Sequence, residues 1–107
     1  MALVSLNDAK VYLRVDSSDE NTLIESLIQS AESLCADIGR MDDAEWAEVN
    51  GDATESDSRE LKKTRTLMRI AMLYTIGYLF EHREEADHHD LSMTLRNLLS
   101  SVREGKW

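Results

Sequence analysis

The most constraining feature of this sequence is the run LMRIAMLYTIGYLF, from Leu67 to Phe80, which is apolar or small at nearly every position. On a helical wheel of about 100° per residue its apolar side chains occupy two opposite sides. A helix that is apolar all round must be covered on all sides. At about 21 Å the run is too short to span a bilayer. The sequence predicts a central buried helix that begins near Asp57 and Ser58 and ends at about Glu85.

The composition of the chain favours an all-α fold. The 107 residues include no proline and only 4 glycines, and no segment alternates between apolar and polar residues as a half-buried strand does. A chain of this length forms a single domain, here residues 1–107, and buries a core without disulfides. We therefore predict a small bundle of four helices around the central apolar helix, with an acidic loop between the second and third helices.

Two helices are predicted before the central one. Ser5 and Asp8 are spaced as a capping box, which predicts a first helix from about Leu6 to Leu13. A second box, Ser17 with Glu20, predicts the start of a longer helix that ends at Gly39. The second helix carries the clearest apolar face in the chain, and we expect Leu27 and Ile28 to lie in the core. That face comprises Leu23, Ile24, Leu27, Ile28, Ala31, Leu34, Cys35 and Ile38.

The segment from about residue 41 to 57 and the end of the chain complete the predicted organisation. We interpret the segment as a solvated loop, with one helical turn from about Asp43 to Val49 holding Trp46 against the core, or as an acidic contact surface. Its carboxylates lack the spacing of a calcium-binding loop. Further on, Asp90 is predicted to cap a last helix whose apolar residues are Leu91, Leu95, Leu98, Leu99 and Val102. The charges of the segment are all negative: Asp42, Asp43, Glu45, Glu48, Asp52, Glu55 and Asp57.

The sequence contains no arrangement typical of a catalytic, cofactor or metal site. The single cysteine, Cys35, lies on an apolar face and is expected to be a buried thiol in a reducing compartment. His82, His88 and His89 are badly spaced for a shared metal ion. Phosphate-binding glycine loops, nucleophile elbows and HExxH motifs are missing. The net charge of −9 disfavours general binding of nucleic acid. We therefore expect no enzymatic activity.

A basic stripe on the central helix is the candidate subunit interface. Its cations fall within about 60° of one another on the helical wheel, with apolar residues between them. The stripe is either an ordinary solvated surface or a contact with another subunit, because three partner helices from so short a chain hardly cover the central helix. The interface candidates are Lys62, Arg65, Arg69, Ile76, Phe80 and Arg83.

Three groups of residues resemble the tailed-phage head-tail connector family. The first is Leu13, Arg14, Val15 and Asp16, followed by the acidic Asp19 and Glu20 and then Leu23 and Ile24. The second is the run from Tyr78 to Glu84, YLFEHRE, at the end of the central helix. The third is Leu98, Leu99, Val102 and Arg103. The acidic segment around Trp46 and the stretch from Asp87 to Asp90, where members often have proline, depart from the family pattern.

The resemblance implies a non-catalytic helical protein that assembles as a ring beneath the portal of a filled phage head. Its partners would be further copies of itself, the portal protein and neck or tail proteins. DNA would pass through the lumen without sequence-specific binding. No membrane would be involved, and the protein would move from the host cytoplasm to the head-tail junction of the virion. Two alternatives stay open at this point: a cytoplasmic helical adaptor or regulatory binding module, and a metal-dependent helical-bundle enzyme.

Overall fold

The computed structural model describes residues 3–51, 57–82 and 89–103. Within these ranges it contains six helices and no strand, so the predicted all-α fold is confirmed. The predicted number of four helices is not confirmed, because the acidic segment contains a helix of its own and the last helix is divided at Leu99. The helices are α1 (Leu6–Leu13), α2 (Asn21–Ile38), α3 (Asp43–Asn50), α4 (Arg59–Glu81), α5 (His89–Leu98) and α6 (Ser100–Arg103).

Helix α4 is the central element of the fold, as predicted. Its most extensive contact is with α2, and it also packs against α1, α3 and α5. Helices α1 and α5 each contact α2 as well, so both bridge the central pair. The fully buried large side chains come mainly from α2, α4 and the C-terminal helices: Ile24, Met68, Met72, Ile76, Leu91, Leu95 and Leu99.

The other helices of the chain do not cover α4 on all sides. Met72 and Ile76 are 0% exposed, whereas Ile70 and Tyr74 remain 48% and 40% exposed. Ile70 and Tyr74 are one turn apart and lie about 160° from Met72 around the helix. The helices packed on α4 therefore cover one broad side of it and leave an apolar strip on the opposite side.

The structure tests the predicted helix starts individually. The Ser5–Asp8 capping box is present: the Ser5 amide donates to the Asp8 carboxylate and the Asp8 amide donates to the Ser5 hydroxyl, each at 3.1 Å. Ser58 caps α4 as expected, accepting from the amide of Leu61 at 3.1 Å. The predicted Ser17–Glu20 capping box does not form. Helix α2 begins at Asn21, and the side chain of its N-cap residue, Glu20, makes no capping hydrogen bond.

Helices α1 and α2 end in the same way, with an arginine in the left-handed conformation. Arg14 has φ 60° and Arg40 has φ 57°, whereas Gly39, the predicted helix end, has φ −74°. After each arginine, the next amide donates to the carbonyl five residues earlier, at 3.0 and 2.9 Å, which is the Schellman pattern. The turns bring Val15 and Met41 against the core. Gly39 lies just before the second of these turns, where a Cβ would make a tight contact of 3.1 Å with the Cys35 carbonyl oxygen.

Helix α3 replaces part of the predicted acidic loop. Asp42 and Glu45 form a capping box, and the Asp42 carboxylate accepts from the amide of Glu45 at 2.8 Å. Val49 is buried, and Trp46 is half-buried against the core as predicted. The Asp42–Glu45 spacing is the local signal for this helix, and the single turn expected from about Asp43 to Val49 is a helix of 8 residues. Residues 52–56 lie outside the described part of the chain.

Cys35 is a buried thiol, as the sequence predicted. It is 0% exposed, and its Sγ lies 3.6 Å from the Thr75 hydroxyl, which donates to the Ala71 carbonyl at 2.8 Å. Because the Thr75 hydroxyl proton is already donated to Ala71, the Cys35 thiol is the donor and the Thr75 oxygen the acceptor in their contact. Burial raises the pKa of Cys35 from its ordinary value of 9.0 to about 11. Because the pKa of this thiol is higher in the folded protein than in the unfolded chain, its stabilising contribution to folding is complete below pH 9.0. That contribution is lost as the pH rises toward about 11, where the thiol of the folded protein also ionises.

We expect the parent protein to lose on the order of 2 kcal/mol more stability than a Cys35→Ala variant when the pH rises from about 9 to about 11. The cause is the unfavourable ionisation of the buried thiol, which the variant lacks. Urea denaturation at several pH values measures the difference, and lysine and tyrosine titrations are common to both proteins. Parallel stability curves for the two proteins would contradict the assignment.

Candidate interaction surface

Two of the sequence groups that resemble the connector family meet in one surface groove. The groove has a volume of about 620 Å³ and lies where the C-terminal ends of α1 and α4 approach each other. Residues at least sixty positions apart in sequence form its walls. They are Tyr12, Leu13 and Arg14 from the α1 end, and Tyr74, Gly77, Tyr78, Phe80, Glu81 and His82 from the α4 end.

The local sequence explains how this groove is formed. The left-handed turn at Arg14 ends α1 and keeps the arginine at the exposed rim. Gly77 lets the Tyr12 ring lie against α4, because a Cβ there would lie 3.0 Å from Cε2 of Tyr12. Tyr78 and His82 stack with ring centroids 4.2 Å apart, and Nδ1 of His82 lies 2.9 Å from the Tyr78 carbonyl oxygen. The groove is therefore an aromatic recess with polar edges, suited to contact with another molecule.

Arg65, one of the predicted interface residues, holds the acidic segment within its own chain. Its Nη1 forms an ion pair with Asp57, and both side chains are close to one-tenth exposed (11% and 10%). Its Nε donates to the Val49 carbonyl at 3.1 Å, and its Nη2 donates to the Glu48 carbonyl at 2.9 Å. These carbonyls are at the C-terminal end of α3, which lacks intrahelical partners for such groups. Arg65 thus fastens α3 to α4.

Arg69 has a similar but more exposed role at the start of the chain. Its Nη1 donates to the Leu3 carbonyl at 3.1 Å and lies 3.3 Å from the Asp8 carboxylate. The Arg69 and Asp8 side chains are 43% and 37% exposed, so solvent weakens their attraction. The pKa of Asp8 is lowered, chiefly by the hydrogen bond from the Ser5 amide and less by Arg69. Arg69 therefore steadies α1 without dominating its stability.

The other four interface candidates occupy different surroundings. Ile76 is 0% exposed and packs in the core of its own chain. Lys62 is exposed, and Phe80 is half-buried at the groove. Arg83 lies outside the described residues. Whether any of the six contacts another subunit stays a prediction.

Sequence reasoning missed the exposed apolar residues of α1 and α4. Val11 and Tyr12 are 70% and 50% exposed, as are Ile70 and Tyr74 of α4 at 48% and 40%. Tyr12 lies against Gly77 and lines the groove together with Tyr74. We call Tyr12, Ile70 and Tyr74 the α1–α4 ridge. Two signals were present: Ile70 and Tyr74 share one side of the helical wheel, and Val11 and Tyr12 lie off the apolar stripe of α1. Without the positions of the other helices, neither signal distinguishes an exposed residue from a covered one.

The described ranges contain no group of three or more histidine, cysteine or acidic side chains placed to hold a metal ion. His82 stacks on Tyr78, and His89 begins α5, while His88 lies outside these ranges. Desolvation raises the pKa of Glu32, which borders an acidic recess between α2 and α3. None of the described helices has both the length and the apolar character required to cross a membrane.

The comparison with protein families agrees with the groove motifs. Residues 3–104 match the family model described as phage gp6-like head-tail connector protein. The match extends through the acidic segment around Trp46 and through the C-terminal helices. No curated protein and no solved structure gives a significant match to the chain.

Proposed function

The chain belongs to the phage gp6-like head-tail connector family, and we propose that it forms a ring beneath the portal that joins the filled head to the neck or tail. The family match over residues 3–104 is the observation that carries the proposal. Family membership makes the protein a structural component of the phage head-tail junction. The ring, its place under the portal and its neighbours are the parts that we propose.

The net charge of −9 supports passage of DNA through the proposed ring. Affinity for a duplex rests largely on neutralisation of phosphates by lysine and arginine. A lumen with an excess of carboxylates repels phosphate and lets the duplex slide. In this proposal the protein has no catalytic role, and DNA is a passing cargo that it does not bind specifically.

The proposed partners are further copies of the chain, the portal protein and neck or tail proteins. Assembly takes place in the host cytoplasm, after which the protein remains at the head-tail junction. A cyclic ring joins two different surfaces of adjacent subunits, so a basic surface can meet an acidic one. Exposed ion pairs each contribute about 0 to 1 kcal/mol, so charge selects the partner surface while apolar contacts provide most of the affinity.

We expect the purified protein to form closed rings on its cognate portal, the portal from the same phage. The assembled portal offers equivalent sites around its axis, and adjacent bound copies would then stabilise one another. Sedimentation over a range of protein concentrations, with and without portal, measures the association. Electron microscopy of the portal-bound fraction shows whether the added mass forms a closed ring.

A portal from an unrelated phage is the control for specificity. Binding to the cognate portal alone, with a ring of protein at one end, supports the connector role. A protein that binds neither portal nor itself at any concentration contradicts the ring. Tight one-to-one binding to some other partner, without rings, would favour a helical adaptor instead.

A further inference from the structure

A recess with a volume of about 340 Å³ lies between α3, the first turns of α4 and α6. Its apolar lining comes from Met41, Val49, Leu61 and Val102. Val49 is 4% exposed, and the other three are half-buried where they pack against the core. Pockets of about 300 to 1,000 Å³ accommodate ligands. This recess, which we call the α3–α6 recess, therefore has room for one bulky apolar group.

The polar lining of the α3–α6 recess is acidic. Glu45, Glu48 and Glu60 line it, and its described lining residues include no lysine or arginine. Glu48 and Glu60 are exposed. The guanidinium of Arg65 lies close by, but it is bonded to Asp57 and to two carbonyls of α3. A positively charged group at this rim therefore meets complementary charge.

The described cations on the neighbouring segments lie on other sides. Leu61 and Thr64 mark the side of α4 that lines the recess. Three exposed cations of α4 are about 130° or more from that side on the helical wheel. They are Arg59, Lys62 and Lys63. Arg40 precedes Met41 but is not among the described lining residues. The occupant that fits the recess combines a large apolar group with a cation.

The chain leaves α6 at the wall of this recess. Ser101 and Val102 line it, and α6 ends at Arg103. An extended backbone carries the third and fourth residues after Arg103 at most about 11 and 14 Å from it. The second residue is a glycine, which lets the backbone reverse its direction. Outside the described part of the chain, the sequence continues with Glu104, Gly105, Lys106 and Trp107.

We propose that Lys106 and Trp107 dock into the α3–α6 recess of their own chain. The indole of Trp107 covers Met41 and Leu61, and the ammonium group of Lys106 faces Glu48. Tryptophan gains more than most side chains from leaving water, so the apolar contact provides most of the affinity. The docked residues link α6 to α3 and α4 and close the recess to other molecules.

Docking within one chain is favoured over docking into a second copy. Lys106 and Trp107 are joined by a few residues to the wall of the recess in their own subunit. So short a connection corresponds to an effective concentration in the millimolar range, which a separate copy does not reach in dilute solution. The contact lies inside one subunit, so it does not depend on the proposed ring.

NMR of the parent protein with labelled methyl groups tests the contact directly. We expect NOEs from the ring protons of Trp107 to the methyl groups of Met41 and Leu61, because docking places these groups in van der Waals contact. Trp46 also lies beside Met41, so the Trp107→Ala variant identifies the signals of Trp107 by their loss. If the parent and this variant show the same NOEs to Met41 and Leu61, the proposal is overturned.

A mixture of labelled and unlabelled copies separates contacts within a chain from contacts between chains. The NOEs of Trp107 should arise within single chains and persist on dilution. If they arise only between a labelled and an unlabelled copy, Lys106 and Trp107 dock into a second subunit, and the proposal is overturned. Neither result alters the proposed connector role, which the portal experiment tests separately.

A charge variant tests the pairing of Lys106 with the acidic rim. Glu48→Gln with Glu60→Gln removes two exposed carboxylates from the recess, and Asp16→Asn with Glu25→Gln removes two elsewhere as the matched control. Acrylamide quenching of Trp107, taken as the difference between each protein and its Trp107→Ala counterpart, reports undocking.

We expect the recess variant to shift the docking equilibrium by at most about fivefold for each ion pair lost. Its Trp107 is therefore quenched more strongly than that of the parent, whereas the control variant matches the parent. Circular dichroism checks that both variants fold. Equal quenching in the recess and control variants overturns the assigned pairing.

Discussion

Replacing Arg65 by alanine is expected to lower the free energy of unfolding by about 3 to 5 kcal/mol, the range for removing one partner of a buried ion pair. The variant leaves the Asp57 carboxylate without its guanidinium, in a position where that side chain is 10% exposed. The carbonyls of Glu48 and Val49 also lose their donors. Urea denaturation followed by circular dichroism measures the loss.

Arg69→Ala is the matched control for Arg65→Ala. Arg69 lies one turn further along α4 and also joins a carboxylate and a backbone carbonyl, but its ion pair is more than one-third exposed. Exposed pairs contribute about 0 to 1 kcal/mol, so this variant should lose much less stability. Equal losses in the two variants would contradict the role given to Arg65. If Arg65→Ala also prevents ring assembly, displacement of α3 explains that loss, and Arg65 need not contact a neighbouring subunit directly.

Ile28→Ala is expected to lower the free energy of unfolding by about 2 to 5 kcal/mol, as other truncations of buried aliphatic side chains do. Ile28 is 8% exposed and packs in the core beside Ile24 and Ala31 of the same helix. Removing its outer carbons leaves a cavity between α2 and its partners that the close-packed core fills only in part. Thermal and urea denaturation measure the effect.

Leu27→Ala tests the direction of the α2 face. The sequence places Leu27 and Ile28 in the core equally, but the structure leaves Leu27 half-buried. Its truncation should therefore cost less than that of Ile28, because part of the side chain already contacts water. A larger loss for Leu27→Ala than for Ile28→Ala would show that α2 is rotated relative to this description.

The helices that the sequence predicted best are those with strong local signals. The Ser5–Asp8 box and the apolar face of α2 act within a few residues, so their geometry is readable before any tertiary contact is known. Errors arose where similar local signals compete. Ser17 with Glu20 has the spacing of a box, yet α2 starts at Asn21, and Arg40 takes the left-handed position expected for Gly39.

The candidate surface was only partly predictable, because exposure depends on which helices pack together. The wheel places Ile70 and Ile76 equally well on apolar sides of α4, but the first is 48% exposed and the second is 0% exposed. The cations of α4 were read as one stripe. Arg65 is instead directed to the end of α3, whose position the sequence does not reveal.

By itself the sequence determined the helical class, the central place of α4 and the family resemblance, since apolar periodicity, caps and motifs are properties of short segments. Only the tertiary structure decided three further features. It brought Arg14 and Tyr78 into one groove, turned Arg65 into a link between α3 and α4, and left the α1–α4 ridge uncovered. The physical reason is common to all three: each depends on how residues distant in sequence are arranged, which is decided only when α1 and α3 pack against α4.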